Sequence, residues 1–163
     1  MCDAWSANFV DWLSHHDVDL VVTPGTRLDD EKEYILDLAP AWWQRISDTG
    51  TELLIVRGMP RGDQSVPECL AEGGSSQECG LPKDRFAQTN PLLNIDLPQN
   101  AHQVDVSQYV CPAIENPAVN SCDAIVGNII VSYDSNHLTS VFSHTLAPAF
   151  ETEMREKVGW LFE

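Results

Sequence analysis

Glu52-Leu53-Leu54-Ile55-Val56-Arg57-Gly58 is a short apolar run closed off by polar residues, and Met59-Pro60-Arg61 turns the chain away at its end. Its length is that of a strand, and the continuous apolar character calls for burial on both faces, as in a parallel sheet. Upstream, Asp29 to about Asp48 is predicted as a helix with Tyr34, Ile35, Leu38, Trp42 and Ile46 as its apolar stripe, a kink at Pro40 and a stop at Gly50. Before it, Val18-Asp19-Leu20-Val21-Val22-Thr23 repeats the strand profile and ends at Pro24-Gly25. Asp3 to His16 sets Trp5, Phe9, Trp12 and Leu13 at helical spacing, which predicts an amphipathic helix whose aromatics pack on the core. Helix, strand, helix, strand is the order of an α/β fold with a parallel sheet. In such sheets ligands bind beyond the carboxyl ends of the strands, where Thr26, Arg27 and Arg61 fall.

Downstream, Gly62 to Pro82 is rich in Gly, Ser, Pro, Glu and Gln and reads as a long excursion. Lys83 to Asn94 is predicted as a weak helix and Val104-Asp105-Val106 as a short strand. Ala124 to Tyr133 is strongly β-forming, but Gly127-Asn128 in its middle predicts a hairpin of two short strands. Leu138, Val141, Phe142, Leu146, Phe150 and Met154 recur at helical spacing, so a C-terminal helix is expected from near Thr139, with Pro148 in its path.

The 163 residues, 43% of them hydrophobic, suit one domain spanning 1–163. With 25 acidic against 9 basic residues the net charge is -16, which repels phosphate backbones and argues against nucleic acid as a partner. The acidic cluster Asp29-Asp30-Glu31 is expected to open a helix and face solvent. No apolar run is long enough to span a bilayer, and Met1 to Trp5 lacks the features of a signal peptide. The cysteines point the other way. Cys69 and Cys79 bracket one loop and Cys111 and Cys122 another, a spacing that fits two loop-stapling disulfides and an oxidising compartment. Cys2 is left over, which together with export lacking a signal is explained if sequence upstream of Met1 is absent.

Between the hairpin and the last helix lies Tyr133-Asp134-Ser135-Asn136-His137-Leu138-Thr139. A carboxylate three positions before a histidine on a turn can bond Nδ1 and leave Nε2 to act as a base, which is two thirds of a nucleophilic triad. The competing reading is a helix cap at Asp134, Ser135 or Asn136 with His137 half exposed.

Taken together, Arg57 to Arg61, Pro67-Glu68-Cys69-Leu70 with Cys79, Val104 to Ser107 leading to Cys111 and Cys122, Tyr133 to Thr139, and Leu146-Ala147-Pro148-Ala149 resemble the SGNH (GDSL-like) hydrolase domain. The closer resemblance is to the version attached to the C-terminus of acyltransferase 3 family membrane O-acyltransferases. The resemblance implies a flavodoxin-like three-layer α/β sandwich and an extracytoplasmic domain, tethered to the membrane through an absent N-terminal region. It implies O-acetylation or deacetylation of a cell-envelope glycan, with no cofactor, and assigns Asp134 and His137 as the acid and base of a Ser-His-Asp triad. The family's serine sits in an N-terminal Gly-Asp-Ser motif, and this chain contains none. The fold is therefore expected to lack its N-terminal strand, and the chain alone to be inactive. Its partners would be the missing N-terminal SGNH segment, the membrane acyltransferase domain and a glycan or other acyl acceptor.

A reading from a different class is a non-catalytic glycan-binding or interaction module, with Trp5, Trp12, Trp42 and Trp43 as stacking surface. Ser132, Ser135 and Ser140 offer substitute hydroxyls, but neighbours on one loop rarely point at the same Nε2. His15, His16 and His102 lack metal-ligand spacing and read as solvated surface histidines. Arg27 and Arg61 are candidates for the substrate rim, or equally for surface ion pairs.

Overall fold

The computed structural model describes residues 2–29, 32–84, 86 and 89–163, apart from the side chains of Cys2 and Asp3. The expectations for Asp30, Glu31 and the Cys2 thiol lie outside the described residues, as do Arg85, Ala87 and Gln88 of the expected 83–94 helix.

Helix α1 (Cys2–Leu13) leads to β1 (Leu20–Pro24). A two-stranded antiparallel ribbon, β2 (Arg27–Leu28) and β3 (Glu33–Tyr34), comes next, followed by helix α2 (Ala39–Ser47) and β4 (Glu52–Val56). Of the single helix expected from Asp29 to Asp48, Glu33–Tyr34 is thus strand and the helix begins only at Ala39. Proline explains the boundary: Pro40 sits in the first turn of α2, where its fixed φ suits helix initiation and its missing N–H has no partner to lose. It starts the helix rather than kinking it.

The chain continues through α3 (Val66–Ala71) and β5 (Leu81–Pro82) to β6 (Ala101–Val104). In place of the expected helix near 83–94, a single 3-10 turn covers Pro91–Asn94, with Asn90 accepting from Leu92 N–H at 3.0 Å. The third strand ends at Val104, earlier than expected, because Asp105 turns the chain by accepting from Ser107 N–H at 3.0 Å and α4 (Ser107–Val110) begins. β7 (Ser121–Cys122) pairs with β5, and β8 (Ile125–Val126) pairs with β9 (Ile129–Ile130) as the expected hairpin. Its turn places Gly127 at φ 58° and Asn128 at φ 65°, the left-handed geometry that the Gly-Asn pair favours. Helix α5 (Ser140–Lys157) closes the fold and runs on through Pro148.

β1, β4 and β6 form one parallel sheet in that order, Leu20 opposite Glu52 and Leu53 opposite Ala101. Alternation along β4 explains the layering. Leu53 and Ile55 point to the side holding Leu13, Trp43 and Ile46 of α1 and α2, whereas Leu54 points to Phe150 and Met154 of α5. All three side chains are completely buried, and each fully buried residue of this size contributes about 1.5–3 kcal/mol. The result is a parallel sheet with helices on both faces, the three-layer α/β sandwich that the resemblance implies.

The 62–82 excursion and the segment after α4 make a second core. The Cys69–Cys79 and Cys111–Cys122 disulfides lie at its centre, packed by Leu28, Val66, Leu81, Phe86 and Ile114. Each bridge closes a short loop, of 10 and 11 residues separation, contributing about 2–3 kcal/mol through the unfolded state. Leu28 belongs both to this core and to the wall of the cleft described below, so the disulfide lobe helps shape the site.

The aromatics of α1 depart from expectation. Leu13 is buried and Phe9 packs against the core, but Trp5 and Trp12 are 68% and 48% exposed. Their rings stack along the helix surface with Phe9 between them and His16 beyond. The sheet does not reach this side of α1, since β1 is the edge strand there and Val22 is itself 56% exposed.

Candidate active site

The segment from Ser132 to Leu138 is pinched into a loop by an antiparallel bridge between those two residues, and Tyr133 N–H donates to His137 O at 3.0 Å. Asp134 organises its interior. Asp134 Oδ1 accepts from the N–H groups of Asn136 and His137, both at 2.7 Å, and Oδ2 accepts from His137 Nδ1–H at 2.8 Å. The cap of α5 is a different residue, Thr139, whose Oγ1 accepts from Phe142 N–H at 3.1 Å. A helix-cap role for Asp134, Ser135 or Asn136 is thereby displaced. With Nδ1 committed to Asp134, the tautomer is set and Nε2 is the free nitrogen. The imidazole is 63% exposed, and the Tyr133 ring stacks on it at 5.6 Å.

The Asn136 amide, followed by the His137 side chain, holds the Asp134 carboxyl down at about 2. It is ionised throughout the neutral range. A carboxyl depressed by folding supports its loop above the ordinary carboxylate range and loses that support as pH falls through its folded value. The Asn136 and His137 amide resonances are therefore expected to keep their positions across the ordinary range and to titrate together toward about 2. A shared midpoint in the ordinary range would show that the loop does not hold the carboxylate.

The loop docks on the chain beyond β4, where Gly62 N–H donates to Ser135 O at 2.7 Å. This brings His137 to a cleft of about 330 Å³ whose walls include Pro24, Thr26, Arg27, Gly58 and Arg61. Those residues end β1 or lie just beyond β1 and β4, so the cleft lies at the carboxyl ends of two adjacent parallel strands. Both arginines singled out in the sequence line the same cleft as His137.

Beneath it lies a network that sequence reading missed. Arg57 forks onto Glu33, Nε to Oε1 at 3.0 Å and Nη2 to Oε2 at 2.8 Å, and its Nη1 donates to Asp105 Oδ2 at 3.0 Å and Ser107 Oγ at 3.2 Å. The Phe86 ring covers the guanidinium at 4.1 Å. Burial alone would lower the Arg57 pKa, but the hydrogen bonds and charges of Glu33 and Asp105 outweigh it, and the pKa is raised. Glu33 also accepts from Thr26 Oγ1–H at 2.6 Å, and Thr26 Oγ1 accepts from Gly58 N–H at 2.8 Å. Two residues of the cleft wall, Thr26 and Gly58, are thus pinned to the buried ion pair. The available signal was Arg57 itself, a charge directly following a run of residues destined for the interior.

Among the described residues of the cleft the one hydroxyl is Thr26, which is buried and already bonded on both sides. Ser132 Oγ is buried with no hydrogen-bond partner among the described residues, and Ser140 begins α5. Neither lines the cleft.

A second, larger groove of about 640 Å³ runs along the open edge of β1 between α1 and α2, lined by Trp5, Phe9, Val21, Val22, Trp42 and Trp43. Pro24 and Arg27 border both it and the His137 cleft, so the two are neighbours. The histidines set aside as metal ligands have local partners. His15 and His16 bond the carbonyls of Asp11 and Trp12 at the end of α1, and His102 pairs with Glu52 at 2.9 Å. No group of three or more His, Cys, Asp or Glu side chains among the described residues is placed to hold a metal.

Residues 1–152 match the profile of the SGNH domain (fused to AT3 domains). The chain belongs to this family. No curated protein and no solved structure matches it. The SGNH domain of this type goes with acyl-transfer or esterase-type chemistry and with a membrane acyltransferase as its partner domain. No helix among the described residues is long and apolar enough to cross a membrane. Two disulfides in an SGNH domain that is fused to AT3 membrane domains fit an extracytoplasmic setting.

Proposed function

We propose that this SGNH domain supplies the acid and base for O-acylation or deacylation of a cell-envelope glycan, and that the serine nucleophile comes from a polypeptide segment outside these 163 residues. The observation that carries the reading is His137. Its Nδ1 is bound by an ionised Asp134, its Nε2 is free, and it stands in a cleft at the strand ends with no available hydroxyl among the described lining residues.

In this reading Nε2 takes the proton from the serine hydroxyl as Oγ attacks the acyl carbonyl, and Asp134 stabilises the imidazolium that forms. The imidazolium returns that proton to the departing alcohol, leaving an acyl-serine. A sugar hydroxyl then attacks the acyl-serine with His137 again as base, the acyl group passes to the sugar oxygen, and the proton returns to the serine. Water in place of the sugar gives the esterase reaction.

The groove along β1 supports delivery of the serine from outside. A strand laid parallel on the open edge of β1 would cover Val22 and the Trp5 face of α1, and would end beside Pro24 and Arg27, next to the His137 cleft. The same groove weighs on the glycan-binding alternative, since it shares Pro24 and Arg27 with the His137 cleft.

The purified chain is expected to hydrolyse an activated acetyl ester such as p-nitrophenyl acetate no faster than a His137→Ala control. Turnover by the chain that His137→Ala abolishes would overturn the external nucleophile.

A further inference from the structure

We infer that the acceptor bound in the His137 cleft is anionic, a sugar bearing a carboxylate or phosphate group that sits between Arg27 and Arg61; this deepens the acyl-transfer reading above and rests on it. The chain has 25 acidic residues and 9 basic ones, so acidic side chains outnumber basic ones across the molecule. This cleft has Arg27, Arg61 and His137 on its walls and no Asp or Glu among its described lining residues. Neither arginine forms an ion pair among the described residues, and Arg61 makes a single long contact, Nη1 to Leu28 O at 3.5 Å. The nearest buried acid, Glu33, is already neutralised from below by the bidentate fork of Arg57. Asp134, behind the imidazole, directs its Oδ2 at Nδ1 and its Oδ1 at two backbone amides.

Two exposed guanidinium groups with no carboxylate partner among the described residues, in a molecule of net charge -16, form a local anion site set in a repulsive field. That arrangement has a use in acyl transfer to a charged glycan. It fixes the sugar ring by its acidic substituent at one wall, and so presents a hydroxyl of the same ring to Nε2 at the other. The surrounding negative charge keeps the rest of the polymer from lying elsewhere on the domain. The cavity at the opposite ends of the strands makes the contrast, since Asp48 and Glu52 line it beside His102.

The test is an NMR titration of the chain with trigalacturonate, glucose 6-phosphate and neutral maltotriose at low ionic strength, following the arginine Nε–H and His137 ring signals. Trigalacturonate or glucose 6-phosphate is expected to shift Arg27, Arg61 and His137 together and to bind about fivefold or more tightly than maltotriose, with added salt closing the gap. Whichever of the two binds more tightly assigns the anionic group as carboxylate or phosphate. Arg27→Gln and Arg61→Gln should each weaken that binding about fivefold, and Arg→Lys at either position should retain most of it. The inference is overturned if maltotriose binds as tightly as the charged sugars, if no sugar shifts the arginines, or if the glutamine variants bind like the parent. Equal binding of neutral and charged sugars beside His137 would remove the anionic acceptor and leave the acyl-transfer reading intact, whereas a His137→Ala variant that retains acyl transfer would strike that reading and not the arginine anion site.

Discussion

In a polypeptide that joins this domain to an AT3 domain and the serine-bearing segment proposed above, His137→Ala is expected to lower acyl transfer by about 10⁶-fold while leaving the melting temperature nearly unchanged. The size follows from the role. A serine hydroxyl at neutral pH is a poor nucleophile, and without a base at Nε2 the attack must proceed with the proton still on oxygen. The small stability effect follows from the position: the imidazole is mostly exposed, and the bonds that close the loop run through Asp134 Oδ1 and the backbone. Asp134→Asn separates the two contributions. An amide still accepts from the loop N–H groups through its oxygen, yet it no longer presents a carboxylate to Nδ1, so activity should fall by about 10⁴-fold with the loop largely in place. Steady-state transfer of acetyl to an acceptor sugar, measured with thermal melts of each variant, checks both. An active His137→Ala enzyme would remove this histidine from the chemistry. An inactive but unfolded one would make its role structural.

What the sequence made legible here was what depends on local pattern. β1 and β4 stand out because β-branched apolar runs ended by Pro and Gly fit few other structures, and the β8–β9 hairpin follows from a Gly-Asn pair that tolerates positive φ. Asp134 and His137 are three residues apart, so their contact is a property of one turn. What was not legible depends on partners distant in the chain. β2 and β3 are two residues each and have no periodicity to read, which let the stripe of α2 be extended backward over β3. Trp5 and Trp12 match helical spacing, but exposure depends on what lies across from the helix, and β1 is the sheet edge on that side. The meeting of Arg27 and Arg61 with His137 required the fold itself, since 34 and 110 positions along the chain separate Arg27 from Arg61 and from His137.

Arg57 shows the same limit with a larger energy attached. It pairs with Glu33, which lies 24 residues earlier in a segment that reads as helix, so neither side chain announces the other. Arg57→Ala is expected to destabilise the domain by about 3–5 kcal/mol, because it leaves the Glu33 carboxylate buried without its countercharge. Against a typical total of about 5–15 kcal/mol, that brings the fold near its limit. Removing both charges should be far milder. Arg57→Met with Glu33→Leu replaces the pair by apolar volume beneath the Phe86 ring and is expected to recover most of the loss, which denaturant midpoints of the single and double variants would measure. The double variant should nonetheless be a poorer catalyst. The network also fixes Thr26 through Glu33 and Gly58 through Thr26, and both line the His137 cleft, so an apolar substitute restores stability without restoring the wall's position. A double variant that regains both stability and full acyl transfer would confine the ion pair to folding; one that regains stability alone would show that the buried charges hold the cleft in register with His137.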